Sequence, residues 1–512
     1  MRARNFLLSM FWLMLVLLTK QTAGQGLNAF FLLGYNSGLD TNVISNVGYL
    51  KFDSTGYILD SANFKMSFRA AQGNLADENG NLLMVTNGCW IADATGDTMQ
   101  NGGGLIPNSF STIWCDAYSG IPFPQNAIFI PFPSDTNKVM LFHQSGSNGS
   151  LYSDGVYMTT IDRSLNGGLG GVISAQKNIN VFPGNLIGGM AACKHANGRD
   201  WWLIVLQNAS DTIFIFQINP SGFSFHHAQS LGVGYMNGTG QLNFSPDGKK
   251  FAQMYYDFNG PGGSTLFYTR IFDFNRCSGF LSNGLNISYP ETELGLGMSF
   301  SANSKKLYTS SFSRIYQFNL DTSNIAASFD TVAVNDGYAF PYPALKTDFW
   351  FMTLAANGKI YITSGSSVID LHYINYPDSD GVSCDVQQHA IRLPCYSVRG
   401  HVYHPNYYLG CDTTLGCPCL INTGLTENGG HDFKAKLSPN PGRFGFDILY
   451  LLPQNKVGTL TVFDMQGREM HREQLPPWST KQSITANNWA PGVYQVVIEC
   501  GGERGVNKWV KY

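Results

Sequence analysis

The sequence predicts an all-β protein: a seven-bladed β-propeller, with six blades as the alternative, followed by a small Ig-like β-sandwich. Three observations carry that expectation. Charged residues are 13% of the 512-residue chain, about half of the roughly 25% usual in soluble proteins. Fifty-six glycines and 13% aromatics take their place, which favours many strands joined by Gly/Asn/Ser turns over salt-bridged helices. A polar-turn pattern recurs through the middle of the chain, and the last eighty or so residues are short alternating strands.

The N-terminus reads as a secretory signal peptide over residues 1–24. Arg2 and Arg4 precede an apolar run from Phe6 to Leu18, and Thr22-Ala23-Gly24 stand ahead of Gln25. That run falls short of the roughly 20 residues needed to cross a bilayer. No later stretch is long and apolar enough to span one, so the mature chain has no expected transmembrane segment.

The propeller is expected over 27–410. Six segments share an apolar stretch, a polar turn and a strand rich in aromatic or β-branched residues: 74–88, 130–145, 190–207, 242–256, 298–311 and 352–365. With Gly80, Asn137, Gly198, Gly248, Ser304 and Gly358 as turn markers, the spacings are 57, 61, 50, 56 and 54 residues. A period of that size suits one four-stranded blade with modest loops. Pro246-Asp247-Gly248 and Asn357-Gly358 suit the tight turn between the two innermost strands. Strands near 28–34, 47–53 and 57–65 precede the first marker without an inner strand of their own. The expectation is that HVYHPNYYLG (401–410) supplies it, closing a seventh blade shared between both ends, because an unpaired edge invites aggregation.

Residues 411–431 read as a Cys/Gly-rich linker and 432–512 as the second domain. In the latter, Leu460 and Val462 alternate with Thr461 and Phe463. Tyr494, Val496 and Ile498 repeat the pattern, and Gly501-Gly502 supplies a hairpin before the final strand.

Charge excludes some partners. A net charge of -3 and a pI near 6.4 give no electrostatic case for nucleic acid or an anionic membrane. The ten cysteines, at 89, 115, 193, 277, 384, 395, 411, 417, 419 and 500, all follow the signal peptide, where cysteines tend to pair. Cys89 with Cys115 is one expected bridge. The cluster Cys384, Cys395, Cys411, Cys417 and Cys419 is expected to hold one or two more, with connectivity open. Zinc is the rival reading for His401, His404, Cys411, Cys417 and Cys419. Its spacing is poor, since Cys417-Pro418-Cys419 is too short and Cys411 to Cys417 too long. Asp378-Ser379-Asp380-Gly381 is half of a calcium loop and reads as a solvated turn.

For chemistry, the chain has no Gly-x-Ser-x-Gly elbow and no papain-like or caspase-like cysteine context. Gly102-Gly103-Gly104 lacks the strand-to-helix setting of a phosphate loop. Lys194, His195 and Arg199, in the hairpin Lys194-His195-Ala196-Asn197-Gly198-Arg199-Asp200, are the candidate ligand-binding residues, placed to line the channel mouth and meet an anion. The competing reading has His195 packing within its blade. His226-His227 reads as an exposed strand pair rather than a metal site. Trp90, Trp114, Trp201, Trp202, Trp350, Tyr255 and Tyr256 read chiefly as inter-blade core. No catalytic residue, metal or cofactor is expected.

KLSPNPGRFGF (436–446), TLTVFDMQGREM (459–470) and WAPGVYQVVIECGGERGVNKWVKY (489–512) resemble the type A C-terminal sorting domain of the Bacteroidetes type IX secretion system. The matching positions are Pro439, Asn440, Pro441, Gly442, Asp464, Gly467, Arg468, Gly492 and Tyr494. The propeller region is also similar to large secreted Bacteroidetes proteins that pair such a ring with this domain. Its matching blocks are SLNGGLGGV (164–172), KHANGRDWW (194–202), FSPDGKKFA (244–252), IFDFNRCSG (271–279), CDVQQHAIRLP (384–394) and HPNYYLG (404–410). Those relatives end the ring in a plainer Leu-Pro-Asn-Phe stretch, where this chain has Cys395 and His401 to His404.

The resemblance implies an outer-membrane translocon as partner and a secreted or surface-attached product. It also implies that the sorting domain is often removed after export; the irregular, exposed stretch after Cys411 places that cut near Thr423 to Lys436. The functional expectation is a non-catalytic propeller that binds a glycan or a protein. The alternative is a secreted polysaccharide lyase or glycosidase whose site is gathered from several blades.

Overall fold

The computed structural model describes residues 26–420 apart from 38–44, 53–55, 71, 119, 147–151, 233–239, 258–265, 290–295, 341 and 401. It also describes 435–512 apart from 451–456, 477–478, 480 and 501–502. The signal peptide, His401, the Gly501-Gly502 hairpin and nearly all of the expected cleavage stretch lie outside the described residues.

The first sheet orders β1 (Phe30–Leu33), β2 (Gly48–Phe52) and β3 (Tyr57–Ser61). The second orders β4 (Gly73–Ala76), β5 (Leu82–Thr86) and β6 (Ile91–Asp93), and is followed by α1 (Ser109–Tyr118). Blades three and four share one eight-stranded sheet. Blade three holds β7 (Ala127–Pro131), β8 (Lys138–His143), β9 (Tyr152–Asp162) and the short β10 (Gly171–Val172). Blade four holds β12 (Trp201–Gln207), β13 (Thr212–Asn219) and β14 (Gly222–Ser230).

The strand between them, β11 (Ile179–Lys194), serves both. Its first part pairs with β9 as an outer strand, and its second part, through Lys194, pairs with β12 as an inner strand. The chain turns that corner at Gly188 and Gly189, where a Cβ on Gly188 would lie 2.4 Å from the Phe123 ring.

The remaining blades are four-stranded. The fifth holds β15 (Leu242–Phe244), β16 (Lys250–Asp257), β17 (Leu266–Phe274) and β18 (Leu281–Tyr289). The sixth holds β19 (Met298–Phe300), β20 (Lys306–Ser310), β21 (Arg314–Asn319) and β22 (Asp330–Val334). The seventh holds β23 (Met352–Leu354), β24 (Ile360–Ile362), β25 (Val368–Ile374) and β26 (Val386–Ser397).

Apolar side chains between the sheets close the ring. One continuous core runs from Leu75 of blade two to Phe272 of blade five. Further cores join blade five to six through Phe267 and Phe318, and six to seven through Tyr308 and Ile360. Seven joins one through Leu371 and Phe31, and one joins two through Phe68 and Val85. The ring therefore has seven blades, and its turns repeat as the spacing predicts. Gly80, Gly198, Gly248 and Gly358 all have φ of +70 to +78°. Each N–H donates to the carbonyl three residues earlier, at Asp77, His195, Ser245 and Ala355. Ser304, at φ +63°, takes the same place in blade six.

The closing step differs from the expectation. No blade is shared: β1 to β3 form their own sheet, and all four strands of blade seven come from 352–397. Residues 402–410 carry no strand. They cross the mouth of the ring as a strap, and Pro405, which has no N–H, could not have continued a ladder there.

At the other end of the axis, buried glutamine amides join the inner strands. Gln72 pairs with both the N–H and the C=O of Leu32. Gln125 does the same to Leu242, at 2.7 and 2.6 Å. Gln241 Oε1 accepts from the N–H groups of Met298 and Met352, and its Nε2 donates to Met352 O, each at 2.8 Å. The strands approach closely here: a Cβ on Gly297 would lie 1.8 Å from Trp350 O.

The C-terminal region is a two-sheet sandwich. One sheet orders β27 (Ala435–Ser438), β28 (Gly445–Tyr450) and β31 (Lys481–Thr485). The other orders β30 (Glu469–Leu475), β29 (Gly458–Asp464), β32 (Gly492–Cys500) and β33 (Glu503–Lys511). Leu460, Val462, Tyr494, Val496 and Ile498 fill its core around Trp509, as their alternation predicts.

Gln241→Ala should cost about 3 kcal/mol or more, because it orphans two buried N–H groups and a carbonyl. Gln229→Ala removes a similar pairing, to the N–H and C=O of Leu281 at the outer seam of blades four and five. Being partly exposed, it should cost about 1 kcal/mol. Denaturant unfolding of the two variants checks the difference.

Candidate functional site at the strapped mouth

The hairpin Lys194 to Asp200 lies at the mouth, but its side chains are spent on the fold. Lys194 is half-buried over the Trp201 ring, and its Nζ donates to Tyr407 O at 3.1 Å. Burial and the nearby Arg276 guanidinium push its pKa down to about 8. His195 stacks on Trp202 at 4.9 Å, and its Nδ1 accepts from Asn197 N. Burial takes its pKa down to about 4, against the pull of Asp200. Arg199 Nε pairs with the buried Asp200 carboxylate at 2.7 Å. The three candidate residues share one hairpin, and His195 follows the packing alternative.

Arg276, which sequence reasoning passed over, organises this corner. It is only 1% exposed. Its Nε donates to Lys194 O, and its Nη2 donates to His195 O and Gly410 O. Its own carbonyl accepts from Ala196 N and Trp202 Nε1. The neighbouring Cys277 is bridged to Cys417, and Cys411 to Cys419. Asp412 N and Leu420 N donate to Ala196 O and Asn197 O. KHANGRDWW, FNRCSG and YLG with the cysteines after it thus meet in space. The position of Arg276 inside one of those blocks was the available signal.

The strap reaches around the ring. Thr353 Oγ1 donates to Val402 O. Tyr403 Oη bonds with the backbone of Ala192, and Tyr407 Oη donates to Phe129 O. His404 Nε2 meets Asn74 Oδ1 at 2.9 Å, and Asn406 Nδ2 donates to Pro246 O. Blades two, three, four, five and seven are thereby tied to one segment. Residues 411–420 carry no strand and are fastened to the ring by the Cys277–Cys417 bridge, with Cys411–Cys419 closing the loop.

Cys89 pairs with Cys115 as expected. In the distal cluster the bridges engage Cys411, Cys417 and Cys419, with Cys277 recruited from blade five, while Cys384 and Cys395 are buried thiols. Asp378 Oδ1 accepts from Asn303 N, and Asp380 pairs with Lys306, so both carboxylates hold blade seven to blade six. A β-bulge in the pairing of β13 with β14 brings the exposed His226 and the half-buried His227 together, with Nδ1 atoms 2.7 Å apart. Trp201, Trp202, Trp350 and Tyr255 are buried, whereas Tyr256 is partly buried against the core of blades five and six. Trp90 and Trp114 pack beside the Cys89–Cys115 bridge. Among the described residues no group of three or more His, Cys, Asp or Glu side chains converges as a metal site would.

A cavity of about 180 Å³ lies under the strap, at the far ends of the inner strands of blades four to seven. Asn243, Ser299, Thr353, Phe300 and Tyr403 line it, and among the described residues no Asp, Glu, Lys or Arg does.

In the sandwich, the sorting-block residues have structural partners. Asn440 accepts from Val510 N and donates to Lys508 O, and Trp509 Nε1 donates to Pro439 O. Both Pro439 and Pro441 follow cis peptide bonds. Gly442 N donates to Val510 O. Asp464 accepts from Gln466 N, Arg468 N and Arg468 Nε around Gly467, whose φ is +78°. Tyr494 Oη donates to Ala490 O, and Gly492 pairs with Lys511.

Two outcomes follow. Arg276→Ala should destabilise the ring by about 3 kcal/mol or more, since three buried carbonyls lose charged donors; limited proteolysis should then cut first in the strap. Acid should weaken the ring as well. Burial lowers the pKa of His143 to about 3, and of His195, His372 and His404 to about 4. Unfolded histidine titrates near 6.5, so between about pH 6.5 and 4 the unfolded chain binds more protons. Each histidine then removes about 1.4 kcal/mol of stability per pH unit as pH falls through that window. Thermal unfolding across pH 4–8 checks the sign, and His404→Asn should flatten the slope.

Three comparisons bear on identity. No curated protein matches the chain. A candidate 6-phosphogluconolactonase from Bacteroides uniformis is similar to it, at 13% identity over 72% of this chain and 97% of that one, with a TM-score of 0.42. The periplasmic gluconolactonase of Pseudomonas aeruginosa is similar at 11% identity, over 89% of this chain and 98% of its own, with a TM-score of 0.36. Likenesses at that level say nothing about chemistry. Residues 436–512 match the secretion system C-terminal sorting domain family. The stretch clamped by Pro439, Asn440 and Trp509 is therefore the sorting tail of a type IX secretion substrate, carried behind a β-propeller.

Proposed function

We propose that this protein is a non-catalytic binding propeller, sent through the outer membrane by its C-terminal domain to act at the cell surface or beyond it. In this reading residues 1–24 are the signal peptide, 27–410 the ring, 411–431 the joint and 432–512 the domain read by the translocon. The ligand is a glycan or a protein.

The observation that carries the reading is the commitment of the mouth's polar groups. Lys194, His195, Arg199 and Asp200 are bonded within the fold, while the neighbouring cavity offers neutral polar atoms and aromatic faces. Such a surface holds a ligand and lacks a paired acid and base to transform it. A rigid ring with long loops is a suitable carrier for recognition.

Deleting 432–512 should leave a folded ring in the periplasm, and cell fractionation reads the result; normal export of the truncated chain would refute the sorting role. Intact-mass measurement of the exported protein should show an end near Thr423 to Lys436, and a mass retaining Tyr512 would mean that the tail stays attached. Glycan-array and cross-linking capture with the exported protein tests the binding role, which fails if neither a glycan nor a protein is held.

A further inference from the structure

We infer that the cavity under the strap is a subsite for one ring of an uncharged saccharide, an assignment that rests on the binding reading above. The cavity, about 180 Å³, far exceeds the roughly 10–15 Å³ needed for a single water. It is walled on one side by Val402, Tyr403 and His404 of the strap, and on the other by the ends of β15, β19 and β23.

Its chemistry selects the ligand class. A charged sugar would leave water for a site without a charged partner, at a cost of several kcal/mol. The basic ring in the strap wall, His404, is held neutral by burial, its pKa lowered to about 4, and burial likewise keeps the Tyr403 phenol protonated. A neutral sugar needs hydroxyl partners and apolar faces, and both are present. Asn243 Nδ2 spends one N–H on Met298 O at 2.5 Å. Its second N–H and its Oδ1 have no partner among the described residues. Ser299 Oγ donates to Phe300 O and keeps its lone pairs to accept. Phe244, Phe300 and Tyr403 supply ring surface for the apolar face of a pyranose.

The equivalent positions of blade two make the contrast. Asn74 occupies the place of Asn243, donating to Phe30 O of its neighbouring inner strand. There its Oδ1 is taken by His404. The strap thus takes up the amide oxygen of Asn74 in blade two and makes no such bond to Asn243 in blade five.

Two substitutions fill the cavity without removing a hydrogen bond. Ala302→Trp and Ala356→Trp enter it from the turns of different blades, so misfolding of one leaves the other informative; circular dichroism and thermal unfolding establish which is folded. Calorimetry of the exported protein with cellohexaose, maltohexaose, mannohexaose and xylohexaose, and with hexagalacturonate as the acidic probe, gives the test. At least one neutral hexamer should bind, with affinity falling at least tenfold in each folded Trp variant and severalfold in Ser299→Ala, and the acidic probe should not bind.

Unchanged binding in a folded Trp variant, binding of the acidic probe alone, or no binding of any neutral hexamer would overturn the assignment. In each of these cases capture of a different glycan or of a protein would leave the broader binding role standing. That role falls only if the array and the cross-linking capture are empty as well.

Discussion

The interaction on which the structure depends is the satisfaction of backbone groups where seven sheets meet at an axis. Inner strands have no neighbour on the axial side, and a buried N–H or C=O without a partner is costly. Gln72, Gln125 and Gln241 answer this by presenting a side-chain amide that copies a peptide group, donor and acceptor together. Because each amide bonds to a strand of another blade, the same contacts that remove the penalty also hold the blades in a ring. Glycines beside them, such as Gly297, let the backbones come close enough for those bonds to form.

The mouth is secured differently. Among the described residues blade one has three strands and borrows none from the C-terminus, so closure there relies on apolar packing between blades seven and one and on the strap. The strap brings Tyr403, Tyr407, His404 and Asn406 to blades that are distant in sequence. Arg276 and the Cys277–Cys417 bridge then hold its far end. This is why the Lys194 to Asp200 hairpin, with its cluster of polar residues, is an anchor. Its backbone carbonyls receive Arg276, and its side chains fasten the turn.

The two parts of the chain are held together by different means. The C-terminal sandwich owes its form to a clamp between the Pro439 to Gly442 segment and the last strand. The residues that match the sorting-domain blocks are thus those that shape its edge. The ring contributes rigidity, three disulfides among the described residues and a charge-free cavity. These are properties of a module meant to keep its shape outside the cell.

The sequence by itself determined the strands, the turns and the address. Period-two alternation and Gly-bearing turns are local properties, dictated by which φ values and which face each residue can take. Gly80, Gly198, Gly248 and Gly358 therefore fall where their spacing says. The sorting blocks were legible for the same reason, being short and contiguous.

What only the tertiary structure decided is which groups meet across blades. Cys277 and Cys417 stand 140 residues apart, and nothing local marks them as partners. Gln72-Gly73-Asn74 and Gln241-Leu242-Asn243 repeat a pattern whose purpose appears only when the inner strands converge. The aromatic residues of 401–410 suit a strand, yet 402–410 form a strap. Its fate was set by the space left over an axis already closed by β1, which no pattern within ten residues can encode.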